Sequence, residues 1–144
     1  MPLPNFKSLC GKKQKIIVSR DAGNPQQHIA VNESGCIVSQ YKIDGDVIRD
    51  DERCDYLVWN EDKKNIYLIE LKGSDLNHAV EQLENTEKIL NNRFFDYLKE
   101  CTTYYRIVLN RVITHQLHSN YVKKFEKTRP NRLLIKTKVL EENI

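Results

Sequence analysis

Asp55, Glu70 and Lys72 are the residues of this chain best placed to do chemistry. Asp55 opens the run Cys54-Asp55-Tyr56-Leu57-Val58-Trp59, and Glu70 and Lys72 lie in Tyr67-Leu68-Ile69-Glu70-Leu71-Lys72-Gly73. Both runs have the character of buried strands, yet each carries an acid where an apolar residue is expected. Burying charge is costly unless something compensates it, and a divalent cation compensates two carboxylates economically. The chemistry this predicts is metal-assisted cleavage of a phosphodiester. Glu70 and Lys72 are two apart, so on one strand they leave the same face. A four-residue loop over 61–64 pairs Asn60 with Asn65 and sets Asp55 directly opposite Glu70. Opposed side chains begin about 5 Å apart. A slip of one residue would send Asp55 to the other face. In this register Asp55 and Glu70 ligate Mg2+, with Mn2+ as a substitute, and the backbone carbonyl of Leu71 adds a ligand. Lys72 orients the attacking water or offsets charge at phosphorus. The competing reading is two strand-end acids that meet solvent or form ion pairs with Arg53 and Lys72.

The elements that must position these residues follow from local pattern. Residues 54–59 and 66–72 are rich in aromatic and β-branched residues and predict two strands of a hairpin. Neither alternates cleanly, so both faces are covered, as in a central sheet flanked by helices. Gly35 to Ile43 predicts an earlier strand, followed by an Asp44-Gly45-Asp46 turn and a return strand starting at Val47-Ile48. Ile16-Ile17-Val18 is a short strand candidate, and 20–27 is turn-rich. Leu76, Ala79, Val80, Leu83, Leu90, Phe94, Tyr97 and Leu98 keep helical spacing and predict a helix over 75–98, capped by Ser74 or Asp75. Its positive end then faces the phosphate. Residues 103–109 predict a strand parallel to 66–72 through a right-handed crossover. A helix over 115–127, stopped by Pro130, and a strand over 132–136 complete the order. The fold class is α/β, a central mixed sheet with an antiparallel hairpin and a parallel crossover strand, flanked by helices. One domain spans 1–144: an irregular arm over 1–30, a core over 36–110, and a helix and strand with a basic patch over 111–144.

Asp55, fourteen intervening residues, then Glu70-Leu71-Lys72, with a hairpin between and a helix after, resembles the PD-(D/E)XK nuclease superfamily. The resemblance is strongest over residues 36–110. It implies a restriction-endonuclease-like fold in which Asp55 and Glu70 bind metal and Lys72 activates water. It also implies that Gln82, on the following helix, lies near the active site. His78, one turn earlier on the same side, is a weaker candidate. Many members add a Glu from an N-terminal helix. Residues 1–35 show no such helix, so Glu33, Asp44 and Asp46 are the candidates for an additional acid. Cys54 stands where Pro is common.

The chain has 144 residues, 40% hydrophobic and 30% charged, with a net charge of +3. That suits one domain. No apolar run approaches the ~20 residues that span a bilayer, and no signal-peptide core is present near Met1. The expectation is a cytoplasmic protein with no membrane partner. Its four cysteines form no CxxC pair and are expected to be small buried hydrophobes rather than disulfides or zinc ligands. His28, His115 and His118 are expected at the surface or in the core rather than on a metal, Trp59 in the core, and Tyr104 and Tyr105 in packing. From Lys123 to Lys138 there are seven basic residues and one acid. Of these, Lys123, Lys124, Lys127, Arg129 and Arg132 are the expected phosphate contacts, with a solvated charged face as the alternative. The expected function is that of a small Mg2+-dependent endonuclease, on DNA before RNA, acting as a homodimer where both strands are cut. The competing class is the same fold with a weakened site, serving as a nucleic-acid or protein-binding adaptor.

Overall fold

In a computed structural model, residues 3–48, 54–112 and 114–144 are described. Arg53, expected as an ion-pair partner, lies outside them. A five-stranded sheet forms the centre, ordered β3 (Val38–Lys42), β4 (Tyr56–Asn60), β5 (Asn65–Lys72), β6 (Thr102–Leu109) and β7 (Leu133–Thr137). β4 pairs antiparallel with both β3 and β5, whereas β5, β6 and β7 are mutually parallel. The mixed α/β sheet, its hairpin and its crossover are as the sequence predicts. Asn60 pairs with Asn65 and Tyr56 with Ile69, so the predicted register holds.

The two faces of this sheet are covered differently. Leu57, Trp59, Ile66 and Leu68 pack on Leu76, Ala79, Val80 and Leu83 of α1 (Leu76–Arg93). The alternate residues Tyr56, Val58, Tyr67 and Ile69 pack on Ile17 and Ala30, which belong to a second sheet. That sheet is ordered β1 (Ile16–Arg20), β2 (Gln27–Val31) and β8 (Val139–Asn143). A helical layer on both faces was the expectation, and a small sheet takes one of them instead. Either layer explains why the central strands lack alternation, because each buries both faces. The arm expected to be irregular over 1–30 holds the β1–β2 hairpin. β2 and β8 carry no apolar signature because their inward positions include His28 and Glu142, a pair 2.7 Å apart.

Other boundaries shift for local reasons. The helix expected over 75–98 breaks at Phe94, which leaves helical geometry and buries its ring against Phe6. A short α2 (Phe95–Leu98) follows. The helix expected over 115–127 divides into α3 (Thr114–Leu117) and α4 (Asn120–Thr128), because Ser119 caps α4 by accepting from the Val122 N–H. The early strand is shorter than 35–43. Among the described residues, Ile48, where a return strand was expected to start, makes a single bridge to Asp44. All four cysteines are free, and Cys36 and Cys54 are buried as expected. Among the described residues, no helix is long and apolar enough to cross a membrane.

Candidate active site

Asp55 immediately precedes β4, with its N–H bonded to the Ile69 carbonyl (3.0 Å). This continues the Tyr56–Ile69 register by one step and sets Asp55 opposite Glu70. Its Oδ2 accepts the Leu71 N–H at 2.7 Å. Helix α1 fixes the same segment from above. Thr86 Oγ1 accepts the Cys54 N–H (2.7 Å) and donates to the Gln82 carbonyl (2.8 Å). Thr86 is fully buried. Thr86→Val keeps its shape but orphans the Cys54 N–H. The expected cost is about 1–3 kcal/mol, measured by urea unfolding, because the segment that carries Asp55 loses its support.

Glu70 is 1% exposed. Burial pushes its carboxyl well above the usual range, and the adjoining Asp55 carboxylate and a hydrogen bond to it push the same way. Burial also raises Asp55. The bonds to Glu70 and the Leu71 N–H oppose this, while Asp21 and Asp44 add repulsion. The two carboxyl groups therefore meet, and both are held above the usual carboxylate range. Glu70 Oε1 is buried with no hydrogen-bond partner. A buried, unpartnered carboxylate oxygen beside a second carboxylate fits a hard divalent cation such as Mg2+, which prefers oxygen ligands. Among the described residues, no group of three or more His, Cys, Asp or Glu surrounds a common point. Two protein carboxylates, with the remaining ligands from water and substrate phosphate, are the usual complement of Mg2+. Burial, Glu70 and Asp55 push the neighbouring Cys54 thiol well up, which makes it a poor nucleophile.

Lys72 Nζ donates to Gln82 Oε1 (3.1 Å) and lies 3.1 Å from His78 Nδ1. An ammonium only donates, so Nδ1 accepts. Gln82 and His78 are thus both brought to Lys72. Among the described residues, these two contacts are the hydrogen bonds of the ammonium. The Lys72 carbonyl accepts from the Asn110 N–H (3.0 Å) and from Gln26 Nε2 (2.9 Å), so the β1–β2 loop braces this peptide.

No family model matches the chain, and neither a curated protein nor a solved structure does.

Other sequence candidates are placed elsewhere. Glu33 is exposed in the turn after β2, beside the Asn32–Cys36 hydrogen bonds. Val38, just after that turn, pairs with Asn60. Glu33 thus lies at the end of the sheet remote from Asp55 and is not the additional acid. Asp44 does act on both Asp55 and Glu70, as does Asp21 on Asp55. The sequence reading missed Asp21. It follows a short strand and opens a turn-rich loop, and only the unforeseen second sheet brings that loop here. The positive end of α1 is already occupied. Asp75 accepts the His78 N–H, and Gln116 Oε1 accepts the Leu76 N–H. Those groups do not serve a phosphate.

The expected basic patch is divided. Lys123, Lys124 and Lys127 are exposed on α4. Arg129 is paired with Glu87 at 2.7 Å and stacks on Phe125 at 4.1 Å. Arg132 donates to the Thr103 carbonyl at the start of β6. Arg129 is thus neutralised, and Arg132 is tied to the backbone with no carboxylate beside it among the described residues. His28 is buried against Glu142 and Trp59 is in the core, as expected.

Proposed function

We propose that the protein is a Mg2+-dependent phosphodiester hydrolase of the PD-(D/E)XK kind, with a restriction-endonuclease-like fold, acting on DNA in preference to RNA. The observation that carries this reading is the buried, unpartnered Glu70 oxygen facing the Asp55 side of the sheet, with Lys72 two residues on. Asp55, Glu70 and the Leu71 carbonyl hold the cation. When bound, Mg2+ supplies Lewis-acid polarisation of a phosphoryl oxygen and a more acidic water. Lys72, held by Gln82 and His78, orients the nucleophilic water or stabilises charge on the phosphate oxygens. The hairpin register keeps the two acids on the face where Lys72 and α1 can reach the same phosphate. Asp44 and Asp21 add negative potential that favours the cation.

The test is incubation with plasmid, single-stranded DNA and RNA, in Mg2+ and in EDTA. Cleavage is expected only with the metal, and lost in Asp55→Asn and Lys72→Ala proteins that fold normally. Because the protein offers two carboxylates, Mg2+ alone is expected to bind weakly. Its affinity should rise when nucleic acid supplies phosphate ligands, and calorimetry with and without substrate measures that coupling. Wild-type protein that binds nucleic acid but never cuts it would establish the adaptor function instead.

A further inference from the structure

Parallel strands β5, β6 and β7 end together beside Lys72, and ligands of open α/β sheets bind beyond the carboxyl ends of such strands. The chain segments that follow are tied tightly to one another. Asn110 N–H donates to the Lys72 and Gly73 carbonyls (3.0 and 2.9 Å), and Arg111 N–H donates to the Gly73 carbonyl (3.2 Å). One strand further, the Lys138 N–H donates to the Leu109 carbonyl at 2.8 Å. Lys138 holds a left-handed φ of 65°, and its Nζ donates to Asn110 Oδ1 at 2.7 Å. Arg111 and Lys138 are both exposed, and among the described residues neither is paired with a carboxylate. The contact with the neutral Asn110 amide orients Lys138 without cancelling its charge. Arg20, Arg93 and Arg132 donate to backbone carbonyls of other segments, and three further cations are paired. Arg106, Arg129 and Lys64 each face a glutamate.

We propose that Arg111 and Lys138 grip consecutive phosphates of the nucleic-acid strand being cut, so that its backbone crosses the tips of β5, β6 and β7. Adjacent strands are about 4.8 Å apart, so Lys72, Arg111 and Lys138 form a cationic row that starts at the Asp55–Glu70 pair. The inference rests on the hydrolase reading for the position of the cut phosphate. It moves the binding surface away from α4. That helix runs along α1, where Ser119, Tyr121 and Arg129 hydrogen-bond Asn77, Glu84 and Glu87, and two acids therefore lie beside its lysines. The recognised chemistry is the phosphodiester backbone, shared by DNA and RNA.

The test uses Asp55→Asn protein, which keeps substrate uncut, and short labelled duplex DNA, single-stranded DNA and RNA. Affinity is followed against salt. Arg111→Ala with Lys138→Ala is expected to weaken binding about tenfold. It should also reduce the slope of log affinity against log salt by about two for a duplex, slightly less for a single strand. The comparison is Lys12→Ala with Lys13→Ala, the same charge change at the other end of the sheet, where the Lys12 carbonyl bonds the Val38 N–H. That pair is expected to leave the slope unchanged. An unchanged slope in the Arg111 and Lys138 variant, or an equal fall in both variants, overturns the grip. If the parental protein binds none of the three ligands, the grip and the hydrolase reading fall together. If the grip is found but unaltered protein never cleaves, only the hydrolase reading falls.

Discussion

Glu70→Gln is expected to abolish Mg2+-dependent cleavage and, in EDTA above neutral pH, to raise the stability of the protein. The two effects share one cause. Burial and the adjoining Asp55 hold the Glu70 carboxyl well above the usual range. The folded protein therefore keeps a proton that the unfolded chain has already released. Stability falls as pH rises from the ordinary glutamate range through that raised pKa, and each unit of upward displacement costs about 1.4 kcal/mol above it. The amide cannot ionise. Its N–H can donate to Asp55 as the protonated acid does, so the variant lacks this slope and should gain at least about 1 kcal/mol at pH 8. Thermal melts across pH, with EDTA or Mg2+, measure it. Wild-type protein should be stabilised by Mg2+, more strongly at higher pH, because metal and proton compete for the same oxygens. The variant should show no such gain. Loss of a direct ligand should lower cleavage by more than about 100-fold, the upper cost of losing an outer-shell partner. A variant that is less stable than wild type in EDTA at pH 8 would show that Glu70 is a structural acid.

Arg106→Met is expected to be the most destabilising of the substitutions considered, by about 3–5 kcal/mol. Arg106 reaches from β6 to β8 and clamps Glu142 through Nε (2.7 Å) and a second nitrogen (3.0 Å). It also donates to the Tyr105 and Arg132 carbonyls. Its guanidinium lies over the stacked Tyr67 and Tyr104 rings. Methionine fills similar space but leaves Glu142 nearly buried, with His28 alone beside it. Burial by itself pushes the Glu142 carboxyl up; the His28 and Arg106 bonds outweigh it, and the net displacement is downward. The stability this contributes is present above the ordinary glutamate range and is lost as pH falls through the lowered pKa. Urea unfolding should show wild type losing stability in acid, and Arg106→Met losing most of that pH dependence. Adding Glu142→Gln should recover much of the loss by removing the stranded charge. If the double variant is no more stable than the single one, the cost lies in lost packing and backbone hydrogen bonds rather than in the unpaired carboxylate.

The central strands, the crossover and the hairpin register were legible because they depend on local signals. A polar loop over 61–64 sets Asn60 against Asn65 whatever surrounds it, and side-chain alternation then carries Asp55 to the face of Glu70. The spacing of Leu76, Ala79, Val80 and Leu83 likewise fixes which side of α1 meets the sheet. Gln82 comes to Lys72 because both lie on those facing surfaces.

The second sheet was not legible. Its inward residues include His28, Ser19 and Glu142, which resemble a solvent-facing pattern until their partners, on distant stretches of the chain, are in place. The state of the cations was hidden for the same reason. Arg129 and Arg111 are alike in sequence, but only packing shows one neutralised by Glu87 and the other exposed beside the carboxyl end of β5. Sequence alone determined which acids share a strand pair and a face, because side-chain alternation and loop length are local properties of the backbone. Tertiary structure decided how deeply Glu70 is buried, what braces Asp55 and Lys72, and which charges remain open to a substrate. Those depend on contacts between segments far apart in the chain, whose desolvation and pairing no local pattern encodes.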